Sequence, residues 1–143
     1  LPNRFESSDI KILSAFYNTG SQLVLLVLTD GEVVFQPGET KFIHTGIALE
    51  IPEGYAGFVY ARSGLACKSG LAPANKVGVI DADYRGEVMV ALHNHSNAER
   101  RIACGERIAQ LVVAPFLKAE FEETHELSDT VRGAGGFGST GKV

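Results

Sequence analysis

The sequence is poor in the features that build disulfide frameworks, zinc clusters and membrane spans. Only two cysteines occur in 143 residues, Cys67 and Cys104, and neither lies in a CxxC or CxxH spacing. We therefore expect each to be a buried, reduced thiol rather than half of a disulfide. The longest apolar run, residues 23–28, is far too short to cross a bilayer, and no charged-then-apolar leader precedes it. These features predict a protein of the cytoplasm, without membrane association.

Positive charge is also scarce. The formal net charge is −4 and the isoelectric point lies near 5.5, whereas a protein that binds duplex nucleic acid usually needs a basic face. We therefore expect no nucleic-acid partner, and any anion site must be a local cluster on an acidic body. A hydrophobic fraction of 45% with 21% charged residues predicts a folded protein, and 143 residues match one ordinary domain.

Helical periodicity is nearly absent, and the chain reads as short strands rich in β-branched and aromatic residues. Turn signals such as Asp30-Gly31, Pro37-Gly38 and Arg85-Gly86 separate the strands. Only residues 63–70 and 97–103 could each hold a helical turn. The pattern predicts an all-β sandwich, jelly roll or barrel. The predicted strands are 23–28, 33–35, 41–51, 55–60, 77–80, 87–92 and 108–114.

A glycine-rich segment, residues 132–141, lies close to the C-terminus. Its five glycines leave backbone N–H groups able to curl around an anion, and Arg132, Ser139 and Thr140 add donors that suit phosphate oxygens. A single aromatic residue in such a segment, Phe137, suits stacking on a base. The alternative is a flexible glycine-rich tail without a ligand.

Three segments in the middle of the chain carry further candidate chemistry. Arg62 and Ser63 stand at a strand end before Gly64, where they could form an oxyanion cradle or a simple arginine-capped loop. Gln110 is embedded in an apolar strand and must find hydrogen-bond partners, either structural or catalytic.

The third segment is an apolar strand that runs into a polar turn. If the backbone stays extended, Asp81 and Asp83 share a face and Tyr84 takes the other. A carboxylate beside phosphate-binding arginines could activate water or organise a metal, although surface turns also commonly carry Asp. His93 and His95 lack a third ligand, so we interpret them as surface or interface residues. The acidic stretch from Glu120 to Glu126 is interpreted as a solvated strand or linker.

Four segments in this order resemble the trimeric, all-β dUTP diphosphatase (dUTPase) family. ARSGLA (61–66) resembles its second motif, GVIDADYRG (78–86) its third, ERIAQL (106–111) its fourth and RGAGGFGSTG (132–141) its fifth. The resemblance covers most of the chain from about Gly38 onward. It implies a jelly-roll domain, here residues 1–129, in a homotrimer whose mobile C-terminal tail, residues 130–143, closes over a neighbouring subunit's active site.

The resemblance also implies a role for each candidate residue. Asp81 matches the general base that activates water for attack on the α-phosphate, and Tyr84 the ring that packs under the deoxyribose and rejects a 2′-OH. Asn75 matches the position that reads uracil together with backbone groups of the hairpin, to which Val79 belongs. Gln110 matches a polar contact near the phosphates and the attacking water. Phosphate and tail contacts match Arg62, Ser63, Gly64, Arg132, Phe137, Gly138, Ser139 and Thr140, with Phe137 stacking over uracil.

The implied reaction converts dUTP and water to dUMP and diphosphate. Mg²⁺ would be bound mainly through substrate phosphates and water, with no protein ligand assigned. The family's first motif, roughly A-G-x-D-L, falls on residues 23–27, where Leu26 replaces its aspartate and Val24 its glycine. The alternative to an active enzyme is therefore a catalytically impaired, dUTPase-like nucleotide-binding protein. A deaminase on the same fold is a third possibility, for which no segment matches.

Overall fold

The computed structural model describes residues 31–136 and, before them, the backbone of one strand. Its elements confirm the all-β prediction, because the described helix content is one π-helical turn, Leu65–Ser69. Phe137, Gly138, Ser139 and Thr140 lie outside the described residues. The described part of the chain contains nine strands: β1 Leu23–Leu26, β2 Val33–Phe35, β3 Thr40–Ala48, β4 Tyr55–Ala61, β5 Leu71–Pro73, β6 Gly78–Ile80, β7 Glu87–Asn94, β8 Arg100–Ile102 and β9 Arg107–Pro115.

The strands form three antiparallel groups. The four-stranded sheet has the order β1-β9-β4-β6, the three-stranded sheet the order β3-β7-β5, and β2 pairs with β8. Strands distant in sequence are therefore neighbours: β9 runs between β1 and β4, and β7 runs between β3 and β5. Because β6 belongs to the four-stranded sheet and β7 to the three-stranded sheet, the polar turn after β6 connects the two sheets.

The core follows the period of two expected for half-buried strands. In β7, Val88, Val90 and Leu92 are buried, while the intervening Met89 is 42% exposed. Buried aliphatic and aromatic side chains from the other strands complete one cluster. Its largest fully buried members include Phe35, Leu71, Ile102 and Ile108.

Buried polar groups at the strand ends are paired. The amide of Asn94 is fully buried and donates to the carbonyls of Gln36 (3.1 Å) and Ala98 (2.8 Å), while its oxygen accepts from Ser96. His93 and His95 stack edge to face with ring centroids 4.3 Å apart. The pKa of His95 is lowered by desolvation of its ring and by electrostatic interaction with His93 and Lys76.

Three expectations need correction. Residues 97–103 hold no helical turn but the strand β8, because burial of Ile102 against the core outweighs the weak helical pattern. Both cysteines are exposed rather than buried: Cys67 lies on the π-helical turn and Cys104 in a turn closed by the Glu106 N–H and the Ala103 carbonyl. Both sulfurs are thiols, as expected. The third correction concerns the turn after β6 and is described below.

Within the residues that the structure describes, no helix has the length and apolarity needed to cross a membrane.

Candidate active site

A cavity of about 250 Å³ brings four of the predicted site residues together. Asn75, Val79, Asp81 and Tyr84 line it, with β6 and β7 supplying most of the wall. The floor and rim are apolar: Val59 is buried beneath, while Phe42 is 68% exposed at the edge. The cavity therefore offers apolar contact to a flat ring and polar groups at one end, a composition typical of small-molecule sites.

The turn between β6 and β7 folds Tyr84 back toward Asp81. The Tyr84 N–H donates to the Asp81 carbonyl (3.2 Å), so the backbone leaves the extended conformation directly after β6. Arg85 stabilises the turn by donating to the carbonyls of Ala82 (2.6 Å) and Tyr84 (3.1 Å). The expectation that Asp81 and Asp83 would share a face opposite Tyr84 is therefore wrong: Asp81 and Tyr84 line the cavity, and Asp83 does not.

Tyr84 lies against the backbone of Gly86. Its hydroxyl donates to the Glu87 carbonyl (2.9 Å), and a Cβ built on Gly86 would lie 2.6 Å from the ring carbon Cζ. Glycine at position 86 therefore makes room for the ring.

Asn75 reaches the cavity from the turn before β6. The Lys76 N–H donates to the Pro73 carbonyl (3.1 Å), and Lys76 adopts a left-handed φ of 66°. A Cβ at Gly78 would lie 3.3 Å from Nδ2 of Asn75, so the glycine admits the amide close to the strand. The Asn75 amide and the backbone of β6 thus converge on the same space, where a base edge could be read by hydrogen bonds.

Asp81 is an exposed carboxylate that lines the cavity. It follows β6 directly and is exposed to the cavity. None of residues 31–136 donates a hydrogen bond to its side chain. Its oxygens are therefore available to a water molecule.

Glu87 is a cavity residue that the sequence did not single out. Its side chain is only 8% exposed and accepts from the backbone N–H groups of Thr45 (3.1 Å) and Gly46 (2.8 Å). His44 Nδ1 lies 2.7 Å from its other oxygen. One signal was present: an isolated glycine inside the long strand pattern of residues 41–51 indicates a bulge, whose free N–H groups need an acceptor.

The predicted phosphate-binding residues form a second group that does not line the cavity. Arg62 follows β4, and its Nη1 donates to the Arg107 carbonyl (3.2 Å). Gln110 lies opposite Tyr60 in the β4–β9 pair, and its Nε2 donates to the Ala61 carbonyl (3.0 Å). Ser63 and Gly64 are exposed where the π-helical turn begins.

The divergent first-motif segment lies beside this second group by register. Leu26 pairs with Arg107, Val24 pairs with Gln110, and the pairing is irregular between Leu25 and Leu26. Residues 23–26 thus run along β9, the strand that carries Gln110.

The chain beyond β9 leaves the body of the protein. Leu117, Phe121, Leu127 and Val131 are each at least 86% exposed, and none of them lies in a strand. The acidic stretch from Glu120 to Glu126 is exposed along its whole length and forms no strand. Arg132 donates from Nε to the Gly135 carbonyl (2.7 Å) and does not line the cavity.

The fold and the nucleoside-sized cavity define an all-β protein suited to binding a nucleotide. The dUTPase family model matches residues 25–141. This chain belongs to the dUTPase family.

Curated relatives that match this chain over most of their length are named as dUTPases. The deoxyuridine 5'-triphosphate nucleotidohydrolase of Nautilia profundicola is 57% identical over 78% of this chain and 78% of its own. That of Bdellovibrio bacteriovorus is 55% identical over 79% of this chain and 76% of its own. That of Hydrogenobaculum sp. is 51% identical over 88% of both chains.

Solved structures of dUTPases have the same fold. A Staphylococcus bacteriophage 80alpha dUTPase variant with dUpNHpp is 29% identical, covers 94% of each chain and superposes with a TM-score of 0.79. A variant dUTPase from phage phi11 of S. aureus, described with a structural Mg(II) ion, is 25% identical with a TM-score of 0.69 and covers 79% of this chain and 88% of its own.

Proposed function

We propose that this chain hydrolyses dUTP to dUMP and diphosphate, with Asp81 activating the attacking water. The observation that carries the proposal is the cavity in which Asn75, Val79, Asp81 and Tyr84 meet. Its volume of about 250 Å³ suits a nucleoside rather than a whole triphosphate. The family name and the curated relatives point to the same reaction.

In this proposal the base and sugar enter between β6 and β7. The Asn75 amide and the backbone around Val79 read uracil, and the wrong base leaves buried polar groups unpaired. The Tyr84 ring, held by its hydroxyl, lies under the deoxyribose and excludes a 2′-OH. The α-phosphate then lies at the mouth of the cavity, near the exposed carboxylate of Asp81, which takes a proton from water as the water attacks.

Arg62, Ser63 and Gly64 are proposed to hold the phosphates, with Gln110 near the attacking water. Gln110 also donates to the Ala61 carbonyl at the end of β4, so it helps to fix the position where residues 62–64 begin. Arg132, Phe137, Gly138, Ser139 and Thr140 are proposed to close over the nucleotide as a mobile tail spanning residues 130–143.

We propose a homotrimer in which each complete site takes residues from more than one chain. Two observations support this. The Arg62 group and the Asp81 cavity are separate within one chain. The apolar side chains of Leu117, Phe121 and Leu127 extend away from the body, where a second copy of the chain could cover them.

Mg²⁺ is the proposed cofactor, carried by the substrate phosphates. No protein ligand is assigned to the ion, and the exposed carboxylate of Asp81 suits a hydrogen bond from a water molecule bound to it. Within residues 31–136, no three acidic, histidine or cysteine side chains group around a common point, so the phosphates and water would supply most ligands. When bound, the ion neutralises charge on the phosphates. We also propose a cytoplasmic location, supported by two surface thiols that form no disulfide.

The alternative is a nucleotide-binding protein that hydrolyses dUTP poorly. The observation that favours it is that Leu26 pairs with Arg107. An aspartate of the family's first motif at this position would lie beside the predicted phosphate-binding residues. Binding of dUTP without turnover would select this alternative.

The test compares Asp81→Asn with Asp83→Asn, two exposed aspartates in one turn of which only the first lines the cavity. Product analysis with dUTP and Mg²⁺ should give dUMP and diphosphate from the unaltered chain. Turnover by Asp81→Asn should fall about 10²- to 10⁴-fold with nucleotide binding retained, as for the loss of a general base. Asp83→Asn should remain close to the unaltered chain. Undiminished turnover by Asp81→Asn would remove this carboxylate from the mechanism.

A further inference from the structure

Glu87 lines the cavity at the start of β7, next to the turn that carries Tyr84, and its side chain reaches across to β3. Its side chain is 8% exposed, and the imidazole Nδ1 of the half-exposed His44 lies 2.7 Å from Oε2. Burial of a carboxylate is costly unless hydrogen bonds compensate it. The partners of this carboxylate therefore indicate what the residue does.

The main partners are backbone groups of an irregular stretch in β3. The β3–β7 register runs regularly to His44↔Met89 and resumes only at Ala48↔Glu87. Three residues of β3 thus face one residue of β7, and Gly46 adopts a left-handed φ of 66°. The N–H groups of Thr45 and Gly46 fall in this gap of the register and donate to Oε1 of Glu87.

The backbone of the same residue holds Tyr84. The Glu87 carbonyl accepts from the Tyr84 hydroxyl (2.9 Å), and Tyr84, Glu87 and Asp81 line one cavity. The side chain of Glu87 thus fixes the first residue of β7 to the bulge of β3, and its carbonyl fixes the tyrosine ring to that first residue. Bulges beside active sites commonly aim a side chain in this way.

We infer that Glu87 is a positioning residue: by capping the bulge at Thr45 and Gly46, it sets the position of Tyr84 and hence the selectivity of the cavity for a 2′-deoxy sugar. The inference rests on the proposed function for the role of Tyr84. Glu87 is not assigned as the base, because Oε1 already accepts from two backbone N–H groups and Oε2 lies beside His44 Nδ1.

The decisive comparison is Glu87→Ala with Glu87→Gln. Alanine removes the acceptor, whereas glutamine keeps an oxygen for the two N–H groups without the charge. We expect Glu87→Ala to lower kcat/KM for dUTP about tenfold or more and to leave kcat/KM for UTP nearly unchanged, so that the dUTP/UTP ratio falls. Glu87→Gln should restore the ratio of the unaltered chain.

A spectroscopic measurement follows the ring independently of turnover. The chain has four tyrosines, so protein labelled with 3-fluorotyrosine gives four ¹⁹F signals, and Tyr84→Phe identifies one of them. That signal should shift or broaden in Glu87→Ala and stay in place in Glu87→Gln. His44→Ala should also leave it in place, because Oε1 keeps both backbone donors.

A stability control separates positioning from general weakening of the fold. Ile102→Ala opens the core in β8, away from the cavity, and should lower the melting temperature without changing the dUTP/UTP ratio. An equal loss of ratio in Ile102→Ala would overturn the inference. So would an unmoved Tyr84 signal in Glu87→Ala, or a Glu87→Gln variant as defective as Glu87→Ala. If the unaltered chain does not prefer dUTP, the proposed function fails, and the ¹⁹F measurement still decides whether Glu87 positions Tyr84.

Discussion

The close approach of the Tyr84 ring to Gly86 gives the sharpest prediction. A Cβ at position 86 would lie 2.6 Å from Cζ and 3.0 Å from Cε2 of the ring. Ordinary carbon–carbon contacts lie at about 3.5–4.0 Å, so Gly86→Ala must push the ring back by about 1 Å. The cost is steric, because Gly86 has no left-handed φ that alanine would strain.

The size of the effect follows from what the ring loses. Its hydrogen bond to the Glu87 carbonyl contributes about 0.5–1.5 kcal/mol, which corresponds to a roughly 2- to 13-fold change. A misplacement of about 1 Å in a residue that positions substrate costs up to about 100-fold. We therefore expect kcat/KM for dUTP to fall about 10- to 100-fold, while the melting temperature changes little because the turn is exposed.

The assay is steady-state release of diphosphate from dUTP and from UTP. Gly31→Ala is the matched control, because no atom lies within 4 Å of the position its Cβ would take. If Gly86 acts through the tyrosine, the double variant Tyr84→Ala/Gly86→Ala should be no worse than Tyr84→Ala alone. Additive losses in that cycle, or normal dUTP turnover by Gly86→Ala, would refute the reasoning.

Three further predictions concern assembly, the metal and the core. A chain truncated after Asp129 and an Asp81→Asn chain should each be inactive but regain activity when mixed under conditions of subunit exchange; a monomer by sedimentation would contradict this. Leu26→Asp combined with Val24→Gly should raise turnover and lower the Mg²⁺ concentration required about 10- to 100-fold, as measured by Mg²⁺ titration. No change would show that another side chain already holds the water shell of the metal ion. Gly57→Ala should destabilise the fold by about 1–3 kcal/mol in urea denaturation, because its Cβ would meet three buried side chains at 3.1–3.2 Å; unchanged stability would mean that the core yields.

Local patterns predicted the fold class and most strands, because apolar and other residues alternate along segments such as β7, and this alternation matches the burial of their side chains. The two missed strands, β5 and β8, have three residues each. β5 ends in Pro73, and β8 begins with two arginines, so neither shows the β-branched alternation that identifies a strand. Their pairing comes from neighbours distant in sequence, which no local window contains.

Four of the residues that line the cavity were named from the sequence, but their arrangement was not predicted. The motif resemblance identified Asp81, Tyr84 and Asn75, and the structure brings them into one cavity. The return of Tyr84 toward Asp81 depends on the turn that Arg85 stabilises, and an extended strand was the simpler expectation. Glu87 escaped notice because its role arises from the bulge in β3, more than forty residues away.

The separation of the Asp81 cavity from the Arg62 group has a consequence for how activity depends on protein concentration. A single chain supplies every residue that lines the cavity: most lie between Pro73 and Ala91, with Phe42 at the edge and Val59 beneath, so the proposed nucleoside site is contained in one chain. If hydrolysis needs three chains, as proposed, the law of mass action makes the trimer fraction of a dilute solution rise with the square of the chain concentration. Dilution would then abolish hydrolysis at concentrations where nucleoside binding persists. The rate of dUTP hydrolysis in a cell would depend steeply on the expression level of the chain.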